Sequence, residues 1–413
     1  MGTCLGLLGL GLLTAAVDPA VELRLGDALA LANAKSAELA VERARAAAQS
    51  ARADAAGRLP DLELKYEEWG VPLARPYALD QAGMLMVGLR QSIPPPGSLG
   101  AEARASQAKA EQAEAEAARR ALDLELEVTR AFYSYAQASS ELELHRTHRD
   151  LVQGVVTLSR AGANAGLSEP AEILEAHRML ARLGAEIAES DALRIVSAAR
   201  LNRWMHREPD APLGPARWTE SSTTSPGEAE VQEEAPRPEI RARHAEIQAA
   251  TAEADAKRQA ERWPSFMLGL DYWYQPLMEP HHAYGAMLSM SLPWLNPQHS
   301  AETRAAEAEV LAAEEALVAE RQSFEVAVVE AKAKLRSARI RLRILSQELL
   351  PLSEQALATA RSNMSGGRVS ALAVLNAARA DLELRIEALR AEAELCIARA
   401  ELARAQGRTI DHE

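Results

Sequence analysis

The sequence predicts a mainly α-helical chain with a small β part, built twice over from long coiled-coil hairpins and paired strands. Three observations lead there. The 413 residues are 48% hydrophobic but only 4% aromatic, and an Ala-, Leu-, Glu- and Arg-rich chain of that kind suits long helices packed closely on small side chains. The hydrophobic period switches from 3.6 to 2 and back, twice. A turn motif also recurs: "GLSEPAEILEAHR" from Gly166 to Arg178 and "GRVSALAVLNAAR" from Gly367 to Arg379. Each copy has Leu eight residues after its Gly (Leu174, Leu375), Ala ten after (Ala176, Ala377) and a closing Arg.

In chain order, residues 1–16 read as a signal peptide, with an apolar run from Leu5 to Leu13 and small residues after it, but without the usual basic start. Residues 17–208 form the first repeat. Its opening helix runs from Leu23 to Arg58, with Asp27 as a candidate cap and Pro60 as the stop. In "LELKYEEW" Leu62, Leu64 and Tyr66 face one way, and Glu63, Lys65 and Glu67 the other. Beyond a loop holding Pro72 and Pro76, Leu85, Val87 and Leu89 alternate with Met84, Met86, Gly88 and Arg90. A long helix from Ala101 to Ala163, a turn at Gly166 and a helix to His206 complete the repeat. Residues 209–238, rich in Pro, Ser and Glu, read as an irregular linker.

Residues 239–413 repeat the order. A helix ends before Pro264, and a strand comes next with Phe266, Leu268, Leu270, Tyr272 and Tyr274 on one face. A loop carries His281 and His282. A second strand puts Ala286, Leu288, Met290 and Leu292 on one face. A long helix from Ser300, which Pro351 should kink, then turns at Gly366-Gly367 into a last helix ending near Gln406.

These elements impose physical requirements. Strands of about nine to eleven residues match a tilted membrane-spanning strand, and the alternation gives an apolar lipid face and a polar lumen face. Tyr66, Trp69, Tyr272, Tyr274 and Trp294 lie toward strand ends, where interfacial aromatics sit. Four strands are too few to close a barrel, and open edges do not sit in lipid. Three chains would supply twelve. The alternative is a soluble sandwich on a coiled-coil scaffold. Helices of about 100 Å far exceed a bilayer core of about 30 Å, so they must extend into water.

The net charge of −13 argues against a nucleic-acid partner. No CxxC, HExxH, GxxxxGK or GxSxG occurs, so nothing points to an enzyme or a cofactor. His145 and His148 stand three apart on a helix, and His281-His282 adjoin in a loop. Both pairs read as ordinary exposed histidines rather than metal ligands. Cys4 falls in the leader and Cys396 reads as a packing residue.

With the doubled order, the "LP" and "WP" lead-ins to the first strand of each half and the paired Gly turns in view, the chain resembles the TolC-like outer membrane efflux factors over nearly its whole length. "QSIPPPG" is similar to an element of the heavy-metal efflux subgroup. The resemblance implies a homotrimer in the bacterial outer membrane, with a twelve-stranded barrel in lipid above a helical tunnel in the periplasm. It also implies a periplasmic adaptor (membrane fusion) protein and an inner-membrane efflux pump as partners. The two Gly turns would be the hairpin tips, which form the gate. At those tips stand Gly166, Glu172, Glu175, Gly367 and Arg368; the unequal charges suggest that Arg368 pairs with Glu172, the alternative being that these charges are all solvated and unpaired. Some members carry acidic residues six and nine positions after the second Gly; here Ala373 and Asn376 stand there. The lumen-facing strand candidates are Met84, Met86, Arg90, Met267, Asp271 and Met287. Thioethers on that face would suit soft cations, but methionine is also a common gap-filler, and packing is the preferred reading. A periplasmic adaptor or soluble scaffold is the competing reading; it accounts for the helices but not the alternating strands.

Overall fold

The computed structural model describes residues 22–71, 74, 77, 82–164, 170–216, 218, 237–366 and 368–410. The leader, the glycines Gly166 and Gly367, the loop prolines Pro72 and Pro76 and most of the linker lie outside the described residues. The elements run α1 (Leu25–Lys35), α2 (Ala37–Ala55), β1 (Glu63–Trp69), β2 (Met84–Ile93), α3 (Ser98–Asn164), α4 (Pro170–Trp204), α5 (Pro238–Arg262), β3 (Phe266–Tyr274), β4 (His282–Met290), α6 (Gln298–Ile344), α7 (Leu350–Ser365) and α8 (Ala371–Ala405). The order helix, strand, strand, long helix, helix thus occurs twice among the described residues.

Three boundaries differ from the sequence reading. The opening helix is broken at Ser36, which is buried and extended, with φ −60° and ψ 114°. The amide freed there, that of Ala37, donates to His206 Nε2 at 3.3 Å, so the break leaves no orphan. Asp27 caps nothing: Arg24 holds the N-cap position, and Asp27 sits in the first turn, where the helix dipole favours its charge. Strand β4 begins at His282, inside the expected loop, and ends before Leu292. Apolar alternation missed its start because Ala283 and Gly285 occupy one face there.

Pro351 does disturb its helix. A five-residue π-turn, Leu345–Leu349, separates α6 from α7. Proline lacks an amide hydrogen and its ring crowds the carbonyl four residues back, that of Gln347, so a wider turn relieves the clash.

The chain divides into two compact units. The first comprises Met1–Ala37, Ala121–Gln232 and Val326–Glu413 and is mainly helical where described. Phe132, Leu124, Val128, Leu201 and Met205 are fully buried in it. A further cluster joins Val152, Val156, Leu183, Leu357, Val374 and Leu375. Each such side chain contributes about 1.5–3 kcal/mol by leaving water. The described start of the linker is held to these helices. Asn202 Nδ2 donates to the Ala211 carbonyl at 2.8 Å, the Tyr135 hydroxyl to that of Gly214 at 3.0 Å, and the Leu23 amide to that of Pro215 at 3.0 Å.

The second unit comprises Glu38–Arg120 and Glu233–Glu325. Its helix α5 buries Ala242, Ala245, Ala249 and Ala252 on one face, the small-residue packing that the composition implied. Its sheet has four antiparallel strands in the order β1-β2-β3-β4, so the hairpins of the two repeats join through β2 and β3.

Candidate functional site

The sheet register sorts every strand residue onto one of two faces. Leu64, Leu89, Leu270 and Ala286 lie in one row across the four strands, flanked by Tyr66, Val87, Tyr272, Tyr284, Leu268 and Leu288. This apolar face is uncovered: Leu64 is 72% exposed, Leu270 66% and Leu288 68%. A contiguous apolar surface of this kind marks contact with lipid or another protein. Among the described residues nothing pairs with the outer sides of β1 and β4, so the sheet also presents two open edges.

The opposite face is polar. The register places Glu63, Arg90, Gly269 and Met287 in one row, Lys65, Gly88, Asp271 and Gly285 in the next, and Glu67, Met86, Trp273 and Ala283 in a third. Met84 and Met267 belong to the same face, so all six strand candidates share one side of the sheet. Lys65 and Glu67 form an ion pair there. Asp271 is only 8% exposed, because its carboxylate lies flat on Gly88, and Trp273 lies likewise on Gly285. A Cβ at either glycine would collide with its neighbour. Asp271 Oδ1 and Arg90 Nε have no hydrogen-bond partner among the described residues.

Aromatic side chains stand exposed at both ends of the sheet. Trp69, Tyr274 and Tyr284 lie at one end, and Trp263 and Trp294, flanking the strands, at the other. The sequence reading missed Tyr284 and Trp263, which fall outside its strand limits, and Trp273, whose indole sits on the polar face. Pairing across β3 and β4 is the signal that places Tyr284 and Trp273.

The two Gly turns lead into helices that pack differently. Behind the second turn, Val374 and Leu375 are fully buried. Behind the first, Ala176 is fully buried, and the buried stripe continues through Leu183. The motif-equivalent Leu174 is 72% exposed, because it lies two residues off that stripe. Sequence similarity between the turns therefore does not carry over to the same packing. Glu172 lies in the first turn of α4, where the dipole favours a negative charge. Glu175 accepts from Arg178 Nε at 2.8 Å, and this bond holds its carboxyl below the ordinary range. Arg368 is exposed, and its amide closes the turn on the Asn363 carbonyl at 2.8 Å. No ion pair joins Arg368 to Glu172 among the described residues; Glu175 pairs with its own helix instead.

His145 and His148 are not exposed, contrary to the sequence reading. They are 8% and 7% exposed, because α3 turns that face into the helical core. No group of three metal-ligating side chains occurs among the described residues. His282 stacks beside Tyr272 and Tyr274, with ring centroids 6.0 and 5.2 Å away, on the apolar face.

The fold is that of known channels. CusC superposes with a TM-score of 0.80 at 18% identity over 94% of this chain and 93% of its own. The outer membrane protein VceC from Vibrio cholerae gives 0.76 at 18% identity over 94% and 97%. The open state of the MtrE outer membrane channel of Neisseria gonorrhoeae gives 0.71 at 19% identity over 96% and 93%. At these identities the likeness is one of fold. No curated protein sequence matches significantly. The model of the outer membrane efflux proteins, however, matches residues 28–205 and again 231–408, one match for each repeat. On that doubled match, carried by a sheet with one uncovered apolar face, the chain belongs to the outer membrane efflux protein family.

Proposed function

We propose that the protein is the outer-membrane channel of a tripartite efflux system, a passive exit duct closed by three copies of the chain. One observation carries this reading: a four-stranded sheet has one face uncovered and apolar, and both its edges are unpaired among the described residues. A lone sheet of this kind exposes backbone polar groups that lipid does not satisfy. Three copies give twelve strands and no edge. In this reading the repeats at 17–208 and 239–413 each contribute two strands and one helical hairpin. The apolar row through Leu270 meets lipid, and Met84, Met86, Arg90, Met267, Asp271 and Met287 meet the lumen.

The partners in this proposal are a periplasmic adaptor and an inner-membrane pump, which deliver cargo to the periplasmic helices. The hairpin tips at Gly166 and Gly367, with Glu172, Glu175 and Arg368 beside them, form the gate. Four thioethers on the polar face favour soft metal cations as cargo.

The test is reconstitution. Protein purified from the outer-membrane fraction and added to planar bilayers should form discrete ion-conducting channels. A protein that stays in the soluble periplasmic fraction and never conducts would contradict the proposal and favour a coiled-coil scaffold.

A further inference from the structure

The helical core of the first unit is interrupted by a layer of charge. Helix α3 turns Glu141, His145 and His148 onto one buried face, at 5%, 8% and 7% exposure, and α8 contributes Asp381 at 6%. A cavity of about 410 Å³ opens here, lined by both histidines together with side chains of α4, α6 and α8. Its carboxylates are already engaged. Glu141 accepts two bonds from Arg390, at 2.9 and 3.1 Å. Asp381 accepts from Arg385 Nε at 2.7 Å, and the same guanidinium reaches Glu354 of α7 at 2.6 Å. Glu186 of α4 accepts from Arg182 at 3.1 Å and lies 3.7 Å from Arg379, which also holds Glu383 at 2.9 Å. Arg341 of α6 holds Glu387 and Glu394, at 3.0 and 3.3 Å.

His145 is the unsatisfied imidazole. His145 Nδ1 is buried with no hydrogen bond, 3.9 Å from Glu186, and Asp381 Oδ1 is likewise orphaned. Burial pushes the His148 pKa below its ordinary value. His145 and Arg379 add to the effect, and Glu186 and Asp381 oppose it.

We infer that this layer is a proton-responsive latch between the α3–α4 hairpin and the α7–α8 hairpin, which acidification of the periplasmic side releases. The inference rests on the gate reading proposed above. Charging His148 places a charge at a buried position beside Arg379, where burial disfavours it, and the carboxylates around it are already engaged by arginines. Opening the cavity to water relieves that charge. The π-turn at Leu345–Leu349, which begins four residues after Arg341, gives the second hairpin a place to bend. Linkage sets the sign. A histidine that the closed packing keeps neutral favours closure fully above the ordinary value of about 6.5. That preference is lost as pH falls below it, by at most about tenfold per pH unit for each titrating site.

The test is open probability in planar bilayers between pH 7.5 and 5.5. The wild-type channel should open increasingly below about pH 6.5. His145→Gln with His148→Gln should flatten the profile. Glu186→Gln removes a carboxylate that favours the charged imidazole in the closed packing, so the rise should still begin near about pH 6.5 and should climb further at lower pH than in wild type. A flat or falling wild-type profile, or a double variant that keeps the wild-type rise, overturns the latch. A protein that forms no channel at any pH overturns the channel reading instead. The latch is then decided by hydrogen–deuterium exchange of the wild-type protein in detergent, corrected for intrinsic rates. Peptides covering residues 141–152 and 378–390 should lose protection below about pH 6.5, and unchanged protection overturns it. The same measurement serves if the double variant fails to fold.

Discussion

Leu89 and Arg90 are neighbours near the middle of β2 and point to opposite faces. Leu89 lies in the apolar row with Leu64 and Leu270, and Arg90 lies opposite Glu63 on the polar side. Exchanging them, Leu89→Arg with Arg90→Leu, keeps composition, charge and depth constant and inverts only the faces. Leu89 is 45% exposed in the chain, so an arginine there meets no steric obstacle; the cost is one of solvent alone. If that solvent is hydrocarbon, an arginine near the midplane costs about 2–4 kcal/mol. With three copies in one barrel the total is about 6–12 kcal/mol, comparable with the whole stability of a typical domain. Arg90→Leu alone removes a half-buried guanidinium with an orphaned Nε and should be tolerated. The assay is the amount of protease-resistant protein in the outer-membrane fraction. The exchange should nearly abolish it, and Arg90→Leu should leave it within about twofold, the range of a surface substitution. Equal abundance of the exchanged protein and wild type would refute the assignment of the apolar face to lipid.

The packing sets other outcomes. Leu375→Ala empties a fully buried position behind the second turn and should lower stability by about 2–5 kcal/mol in thermal unfolding. Leu174→Ala, at the equivalent place in the first turn, should change the stability of the unassembled chain by less than about 0.5 kcal/mol. Arg390→Ala leaves Glu141, 5% exposed, without its bidentate partner. Because Arg390 itself is more than half exposed, the loss should be about 1–2 kcal/mol, shrinking in high salt when read by chemical denaturation. Replacing Met84, Met86, Met267 and Met287 together by Leu should leave folding intact and reduce silver tolerance in cells that depend on this channel. Unchanged tolerance would remove soft cations from the cargo proposal.

Much of this architecture was legible in the sequence, because period and repetition are properties of the chain itself. Leu64, Tyr66, Leu85, Val87 and Leu89 alternate strictly, so both faces of β1 and β2 could be assigned before any pairing was known. The prolines at 60 and 264 and the doubled turn motif fixed the order of elements. Features that depend on a partner element were hidden. Nothing in "AKSAEL" distinguishes Ser36 from other small helical residues, and the break appears only where His206 supplies an acceptor for the Ala37 amide. His145 and His148 look like surface residues in a polar stretch, and their burial is set by α4 and α8 packing against α3. The two turn motifs read alike, but Leu174 and Leu375 take opposite environments because each helix sets its own buried stripe.

The central claim is that three chains share one closed sheet. The mass of the detergent-solubilised particle, read by native mass spectrometry, tests this most directly. The expected result is a particle of three chains that falls apart or aggregates when detergent is withdrawn, since both edges of each sheet then lose their neighbours. A single chain that remains monodisperse without detergent would contradict the account.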